Sequence, residues 1–293
     1  MAVPYPKIHV VINPASGKDE PILNTLNDVF HPFGVDWDIS VTKKYGDATE
    51  QAKAAIARGV DLVVGYGGDG TQHEIANAML SSGGKTLMGI LPGGTGNGFA
   101  REMNIPMTLR PAVEMLCTSR NVRQIDAARV NEQYFIQRLY VGVEPEKQTS
   151  RDLKDKYGVF AYAVAMSKRR KSVKNVKYRT VIDDEAKEFE AAKAYVINSG
   201  MMGTGWAITH AYAIDDGLLD AFALDLENME TIYAAAERFL NLNTETASKY
   251  YRQCRELTIA TEPDQAVWAD GEYIGRTPVS IKVLPGALSI VVP

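Results

Sequence analysis

Two short glycine-rich segments are the places where this 293-residue chain is most open to chemistry. The first is Gly65-Tyr66-Gly67-Gly68-Asp69-Gly70-Thr71 and the second is Pro92-Gly93-Gly94-Thr95-Gly96-Asn97. Each stands where an apolar, β-forming run stops and a helical pattern starts. Glycines there let an anion approach backbone N–H groups, and the helix N-terminus behind them adds a partial positive charge. Two such turns point to a phosphate-bearing ligand more strongly than either alone. Residues 65–70 match Gly-x-Gly-x-x-Gly by letter, which is a weak signal. A dinucleotide-binding unit also carries an acid at the end of the next strand, and here that strand closes on Leu91-Pro92. The P-loop pattern fails as well, because Asp19 follows Gly17-Lys18 and Ile12 stands where its first glycine should be. Asp69 is a strange neighbour for a bare phosphate and a sensible one if Mg²⁺ lies between them. Its competing role is to cap the helix that follows.

Those segments need a scaffold, and residues 1–125 supply an alternation of strand and helix signals. Strands are expected at Ile8–Ile12, Trp37–Thr42, Leu62–Val64 and Leu87–Leu91. Helices are expected at Pro21–Phe30, Ala48–Arg58 and Thr71–Leu80, with Asp47 and Glu50 forming a capping box and Gly59 stopping the second helix. Repeated strand–helix units predict a parallel sheet with helices on both faces, a three-layer α/β domain. Ligands of such sheets bind beyond the carboxyl ends of the strands. All four expected strands end in polar or glycine-rich residues on that one rim, including Asn13-Pro14-Ala15-Ser16-Gly17 after the first and Thr42 after the second.

Residues 126–293 change character. Short β-like runs appear at Gln124–Val130, Gln133–Tyr140, Val176–Ile182, Ala191–Ile197, Leu219–Leu226, Leu257–Ala260, Ala266–Ala269 and Ser280–Val283, with helical patterns at Gly158–Arg169 and Thr231–Leu240. They predict a C-terminal antiparallel β-sandwich domain. Hydrophobic residues make up 45% of the chain, which suffices for two cores, and a net charge of −4 gives no footprint for nucleic acid. The longest apolar run, Val159–Met166, is far short of the ~20 residues that span a bilayer. The N-terminus lacks a signal-peptide pattern, and the two distant cysteines are expected as free thiols, so a cytoplasmic protein is anticipated. Lys168 to Arg179 holds seven Lys or Arg and no acid. It reads as a solvated face or as a docking patch for anionic lipid headgroups.

The chain resembles the diacylglycerol-kinase catalytic family, which includes bacterial lipid kinases and the sphingosine and ceramide kinases. Five segments carry the resemblance in the family's order. They are Asn13 to Gly17; Gly67-Gly68-Asp69-Gly70-Thr71 with Glu74; Pro92 to Asn97 with Phe99-Ala100-Arg101; Asp215-Asp216-Gly217-Leu218-Leu219-Asp220; and Asp270-Gly271-Glu272. The resemblance implies an ATP-dependent lipid kinase, with diacylglycerol the leading acceptor and the active site in a cleft between the two domains. ATP would be contacted by Asn13, Pro14, Ala15, Ser16, Gly17, Thr42, Gly67, Gly68, Asp69, Gly70, Thr71, Glu74, Gly94, Thr95 and Asn97. Mg²⁺ would be held by the Asp216 carboxylate and the carbonyls of Ala213 and Leu218, although by itself that turn is an Asx-type turn that starts a strand. Catalysis would fall to Glu272 or Asp270, with Asp69 beside the metal and nucleotide. Acceptor access would be from a membrane surface, by a peripheral protein, and a homodimer is kept open. The chain departs from the family at Gly98, where an Asp is common, and at Gly142-Val143-Glu144, where Gly-x-Asp is common. Both bear on the acceptor. The rival reading is a kinase of a soluble acceptor such as NAD, which would explain Gly67 to Thr71 but neither the Asp216 turn nor the second glycine loop. An NAD-dependent oxidoreductase is disfavoured by the missing acid, and a non-catalytic lipid-binding module by the retained carboxylates.

Overall fold

A computed structural model describes residues 3–16, 19–83, 86–142, 174–199, 201–202, 206–207, 213–224 and 251–293. The helical patterns at 158–169 and 231–240, the apolar run 159–166 and the basic residues 168–171 lie outside the described residues.

The elements run β1 (Lys7–Ile12), α1 (Ile22–Phe33), β2 (Asp36–Val41), α2 (Asp47–Ala57), β3 (Leu62–Gly67), α3 (Asp69–Ser81), β4 (Leu87–Pro92), α4 (Gly98–Glu102), α5 (Leu109–Thr118) and β5 (Val122–Val130). They continue as β6 (Gln133–Phe135), β7 (Arg138–Val141), β8 (Val176–Ile182), β9 (Glu185–Ala191), β10 (Lys193–Ile197), β11 (Met201–Met202), β12 (Trp206–Ala207) and β13 (Leu219–Leu224). The last are β14 (Tyr251–Cys254), β15 (Glu256–Glu262), β16 (Ala266–Ala269), β17 (Glu272–Arg276) and β18 (Val279–Val291). The chain divides into one unit of Met1–Asp126, Met201–Gly205 and Gly286–Pro293, and a second of Ala127–Gly200 and Trp206–Pro285.

In the first unit β2, β1, β3 and β4 lie in that order, all parallel. β1 and β3 are buried almost throughout, and apart from Lys7 and His9 they carry apolar residues or glycine, as a strand covered on both faces requires. The chain moves from β1 outward to β2 and then back across to β3 and β4. With right-handed crossovers this puts α1 on one face and α2 and α3 on the other. The packing agrees: α1 lies against α5, and α2 against α3. The reversal of direction makes the gap between β1 and β3 the switch point of the sheet. β18 ends beside β4 in parallel, with Ile290 opposite Met88. The edge strand β2 is anchored through polar groups. Buried His9 bonds Asp38 at 2.5 Å and Ser40 at 2.9 Å, and Arg58 bonds Asp38 at 2.8 Å.

The expected capping box at α2 does not form. The Asp47 carboxylate turns back to the N–H groups of Lys43 and Lys44, and the Glu50 side chain reaches Lys53 instead. Glu74 of α3 supplies the cap, accepting the N–H groups of Gly46 at 2.8 Å and Ala48 at 3.2 Å. Gly59 does stop α2, in the left-handed region at φ +74°.

The second unit holds two antiparallel sheets. One pairs β9, β8, β15 and the first part of β18, and the other has the order β14-β13-β10-β7-β16-β17. Inward-facing residues of both, among them Phe135, Leu139, Val141, Tyr178, Leu219, Val267 and Ile281, form one core. β9 is not among the strands expected from the sequence, since four of its seven residues, Glu185, Lys187, Glu188 and Glu190, are charged. It returns from β8 through Asp183-Asp184, both at positive φ (42° and 72°). Two cations of the basic run, Lys177 and Arg179, sit on β8 and pair with Glu188 of β9 at 2.8 and 3.0 Å, and Arg179 also with Glu262 at 3.1 Å. That part of the run is a solvated, paired face. Both cysteines are free and buried, and burial pushes the thiols up to about 11 for Cys117 and about 12 for Cys254.

Candidate active site

The parallel sheet delivers the loops after β1, β2, β3 and β4 to one rim. Asn13 organises the first. Its Oδ1 accepts the Ala15 N–H at 3.0 Å, an Asx turn, and its Nδ2 donates to Thr71 Oγ1 at 3.0 Å across the switch point. Pro14 and Ala15 are exposed and Ser16 half-buried beyond it, while Gly17 lies outside the described residues. Thr42 is buried at the end of β2, its N–H bonded to the Ile12 carbonyl at 2.9 Å. Tyr66, absent from the sequence-based site, lies beneath these loops. It is 1% exposed, its hydroxyl donates to Glu20 at 3.0 Å and meets Ser16, and burial together with the Glu20 charge raises its pKa strongly.

The two glycine loops close on each other. The Gly93 N–H donates to the Gly67 carbonyl at 3.0 Å. A Cβ at Gly94 would stand 2.5 Å from the Gly68 Cα, one at Gly93 2.9 Å from the Tyr66 ring, and one at Gly67 2.4 Å from Thr71 Oγ1. No side chain fits at these three positions without displacing its neighbour. Asn97, 4% exposed and at φ +50°, knots the second loop by accepting the Gly94 N–H at 2.8 Å and donating to the Gly94 carbonyl at 2.6 Å. Thr95 and Gly70 are left at the surface of the rim.

Asp69 opens α3, yet its carboxylate serves a different helix. Oδ2 accepts the Gly98 N–H at 3.1 Å and Oδ1 the Phe99 N–H at 2.9 Å, so Asp69 caps α4 and holds the second glycine loop to the first. Glu74 does the same for α2, as described above. Burial pushes its carboxyl above the ordinary range, against the pull of the N–H groups it accepts. Asp69 and Glu74 thus fasten helix N-termini on this rim.

The remaining expected residues belong to the second unit. Asp216 is exposed and accepts the Leu218 N–H at 2.9 Å, with Gly217 at φ +74° between them and Ala213 just ahead. Carboxylate and carbonyl oxygens are the hard donors that Mg²⁺ takes, and so small a set fits an ion that keeps waters and substrate phosphates as its other ligands. Among the described residues no three His, Cys, Asp or Glu side chains are grouped to hold a metal by themselves. Asp270 and Gly271, at φ +48° and +94°, form the two central residues of the β16–β17 hairpin. Positive φ at both is the type I′ arrangement that tight hairpins require. The two carboxylates of this turn are not equivalent. Asp270 accepts three backbone N–H groups, from Ile136 at 2.8 Å, Gln137 at 2.9 Å and Arg138 at 2.8 Å. Those bonds break the run 133–140, expected as one strand, into β6 and β7. The half-buried Glu272 carboxylate makes no hydrogen bond or ion pair among the described residues.

The Diacylglycerol kinase catalytic domain matches residues 7–130, and the YegS C-terminal NAD kinase beta sandwich-like domain matches residues 138–292, more than half of the chain. The chain therefore belongs to the diacylglycerol kinase catalytic-domain family and is a phosphotransferase of the lipid-kinase class, with an alcohol as acceptor. It is similar to the diacylglycerol kinase of Staphylococcus saprophyticus, 27% identical over 296 residues, covering 98% of this chain and 95% of that one. The diacylglycerol kinase of Staphylococcus epidermidis is 26% identical over 295 residues, with 98% and 92% covered. A solved diacylglycerol kinase from Bacillus anthracis str. Sterne superposes with a TM-score of 0.77 at 25% identity, covering 99% of this chain and 98% of that one.

Asp69→Asn tests the fastening of the two loops. It replaces one acceptor oxygen by an NH₂ group facing a backbone N–H, at a cost of about 1–3 kcal/mol. The melting temperature is expected to fall by roughly 2–8 °C and kinase turnover to be lost even at saturating Mg²⁺. Near-normal turnover with an unchanged melting curve rules the role out.

Proposed function

We propose that the protein transfers the γ-phosphate of ATP to the hydroxyl of a membrane lipid, diacylglycerol foremost. The observation that carries the reading is the rim of the first unit. There the two glycine loops meet backbone to backbone, a Cβ at Gly94 standing 2.5 Å from the Gly68 Cα, and bare backbone at this point of the rim is what a nucleotide's phosphates need. Membership of the lipid-kinase class supplies the reaction type.

Asn13, Pro14, Ala15, Ser16, Gly17 and Thr42, the segment Gly67–Thr71 with Glu74, and Gly94, Thr95 and Asn97 bind the nucleotide. Backbone N–H groups of the glycine turns that face the nucleotide stabilise charge on the phosphates, whereas Pro14 has none and those of Ala15, Thr42 and Gly94 are bonded within the chain. The Asp216 carboxylate and the carbonyls of Ala213 and Leu218 would hold Mg²⁺, which would supply neutralisation of phosphate charge. Glu272, whose lone pairs are uncommitted among the described residues, accepts the proton of the lipid hydroxyl. The hydroxyl oxygen forms the new bond to the γ-phosphorus, the bond from that phosphorus to the β–γ bridging oxygen breaks, and ADP departs. Asp270 is the structural half of the turn, and its bonds to three N–H groups hold Glu272 in place. No helix among the described residues is long and apolar enough to cross a membrane. The lipid is reached by peripheral docking from the cytoplasmic side, with Lys168–Lys171 as the charged contact.

The test is an assay with radiolabelled ATP against diacylglycerol, phosphatidylglycerol, ceramide, sphingosine and NAD. Labelled phosphatidate at a turnover within about 1–100 s⁻¹ is the expected outcome. Label appearing in NAD alone overturns the reading in favour of a soluble acceptor, and label in none of the five overturns both.

A further inference from the structure

The loop that Asp270 holds presents a side chain with nothing to do. Gln137 is 5% exposed, and its Nε2 is buried with no hydrogen-bond partner among the described residues. The residue itself is fixed from both sides. Its N–H donates to Asp270 Oδ1 at 2.9 Å, and its carbonyl accepts the N–H groups of Asn198 at 2.8 Å and Ser199 at 3.2 Å. A backbone so firmly anchored gives the carboxamide little freedom to leave its place. A buried donor without an acceptor weakens the free protein, and native structures rarely tolerate one without a reason.

The register shows what stands on the same face. Glu272 pairs with Ala269, and Ala269 pairs with Leu139, so these three side chains share one face of the sheet. Gln137 lies in the bend between β6 and β7, and its N–H is bonded to the Asp270 carboxylate at 2.9 Å, two residues before Glu272. A proton acceptor and an orphaned hydrogen-bond donor are therefore tied to one turn, through Asp270. If Glu272 takes the proton of an alcohol, the oxygen of that alcohol needs its lone pair for attack on phosphorus. The donor of Gln137 is then of use to a second oxygen of the same molecule.

We propose that Gln137 is a specificity-determining residue whose carboxamide N–H binds an oxygen next to the hydroxyl that is phosphorylated. The acceptor it selects carries an ester or hydroxyl oxygen on the neighbouring carbon, as a glycerolipid does and a simple fatty alcohol does not. The inference rests on the lipid-kinase reading of the Glu272 turn.

The experiment compares wild type and Gln137→Met, a substitution of similar length without the donor, on dioleoylglycerol and oleyl alcohol in the same mixed micelles. Thermal melts of the free proteins accompany the assays. Removing an unpaired buried donor is expected to leave the melting temperature unchanged or raise it by about 2–4 °C. The kcat/KM for dioleoylglycerol is expected to fall about tenfold or more, with that for oleyl alcohol changing little, so that the wild-type preference collapses. Gln137→Asn, which keeps the donor on a shorter arm, is expected to restore part of the preference. A lowered melting temperature with equal losses on both alcohols marks Gln137 as structural and overturns the assignment, and so does an unchanged preference. Wild type inactive on both alcohols overturns the proposed reaction and this assignment together, which separates that failure from the failure of Gln137 alone.

Discussion

Glu272→Gln is expected to lower turnover on the lipid by about 10²–10⁴-fold while leaving nucleotide affinity nearly unchanged. The substitution keeps size and hydrogen-bonding reach but removes the ability to take a proton. Glu272 is at the first position of β17, opposite Ala269, and its backbone is set by the hairpin pairing and not by its side chain. Loss of the carboxylate therefore has little to disturb in the fold, and the melting temperature is expected to stay within a degree or two of wild type. Single-turnover measurements with a nucleotide-binding titration alongside separate the step that changes from the binding that does not. Full turnover in Glu272→Gln on the true acceptor removes the base from this turn.

Asp270→Asn is expected to act by the opposite route, through stability. Its carboxylate satisfies three consecutive backbone N–H groups, and bonds to a charged acceptor are worth about 1.5–3 kcal/mol each. An amide can keep the two bonds that Oδ1 accepts but must turn its NH₂ toward the Ile136 N–H or give up the pair from Gln137 and Arg138. A melting temperature lower by roughly 5–10 °C follows, with turnover falling because Glu272 and Gln137 lose their support. The two variants thus divide what the sequence presents as two similar acids. If Asp270→Asn melts like wild type and loses turnover 10²-fold or more, the assignments within the turn must be exchanged.

Much of the scaffold is legible in the sequence because burial on both faces leaves so plain a mark. β1, β3 and β4 are short, mainly apolar runs followed by asparagine or glycine, and a strand of that kind has few other ways to be buried. The edge strands are not legible in this way. β9 reads Glu-Ala-Lys-Glu-Phe-Glu-Ala, and its charges face solvent where they pair with β8, so nothing in the composition marks it as β. β14, at one end of the second sheet, is a similar case, whereas β17 at the other end is legible from the Asp270-Gly271 hairpin turn between Val267 and Ile274. The limits of β18 were also hidden. Its first residues alternate and were expected as a strand, but Pro285-Gly286 interrupts the pattern, and the strand continues past it to Val291 because the Asp126 carboxylate accepts the Gly286 N–H at 2.8 Å.

The candidate site divides along the same line. By itself the sequence determined the residue types that phosphate chemistry needs and the rim on which they gather. Strand polarity does that without any knowledge of side-chain contacts, since parallel strands end together. Only the tertiary structure decided what each acid does. Asp69 caps α4, which begins 29 residues later, Glu74 caps α2, which precedes it, and Asp270 holds a loop 134 residues away. A carboxylate finds its N–H donors through space, and no local pattern records which donors those are. Gln137 was missed for the same reason. A glutamine between Ile136 and Arg138 carries no signal, and its lack of a partner exists only once the chain has folded around it.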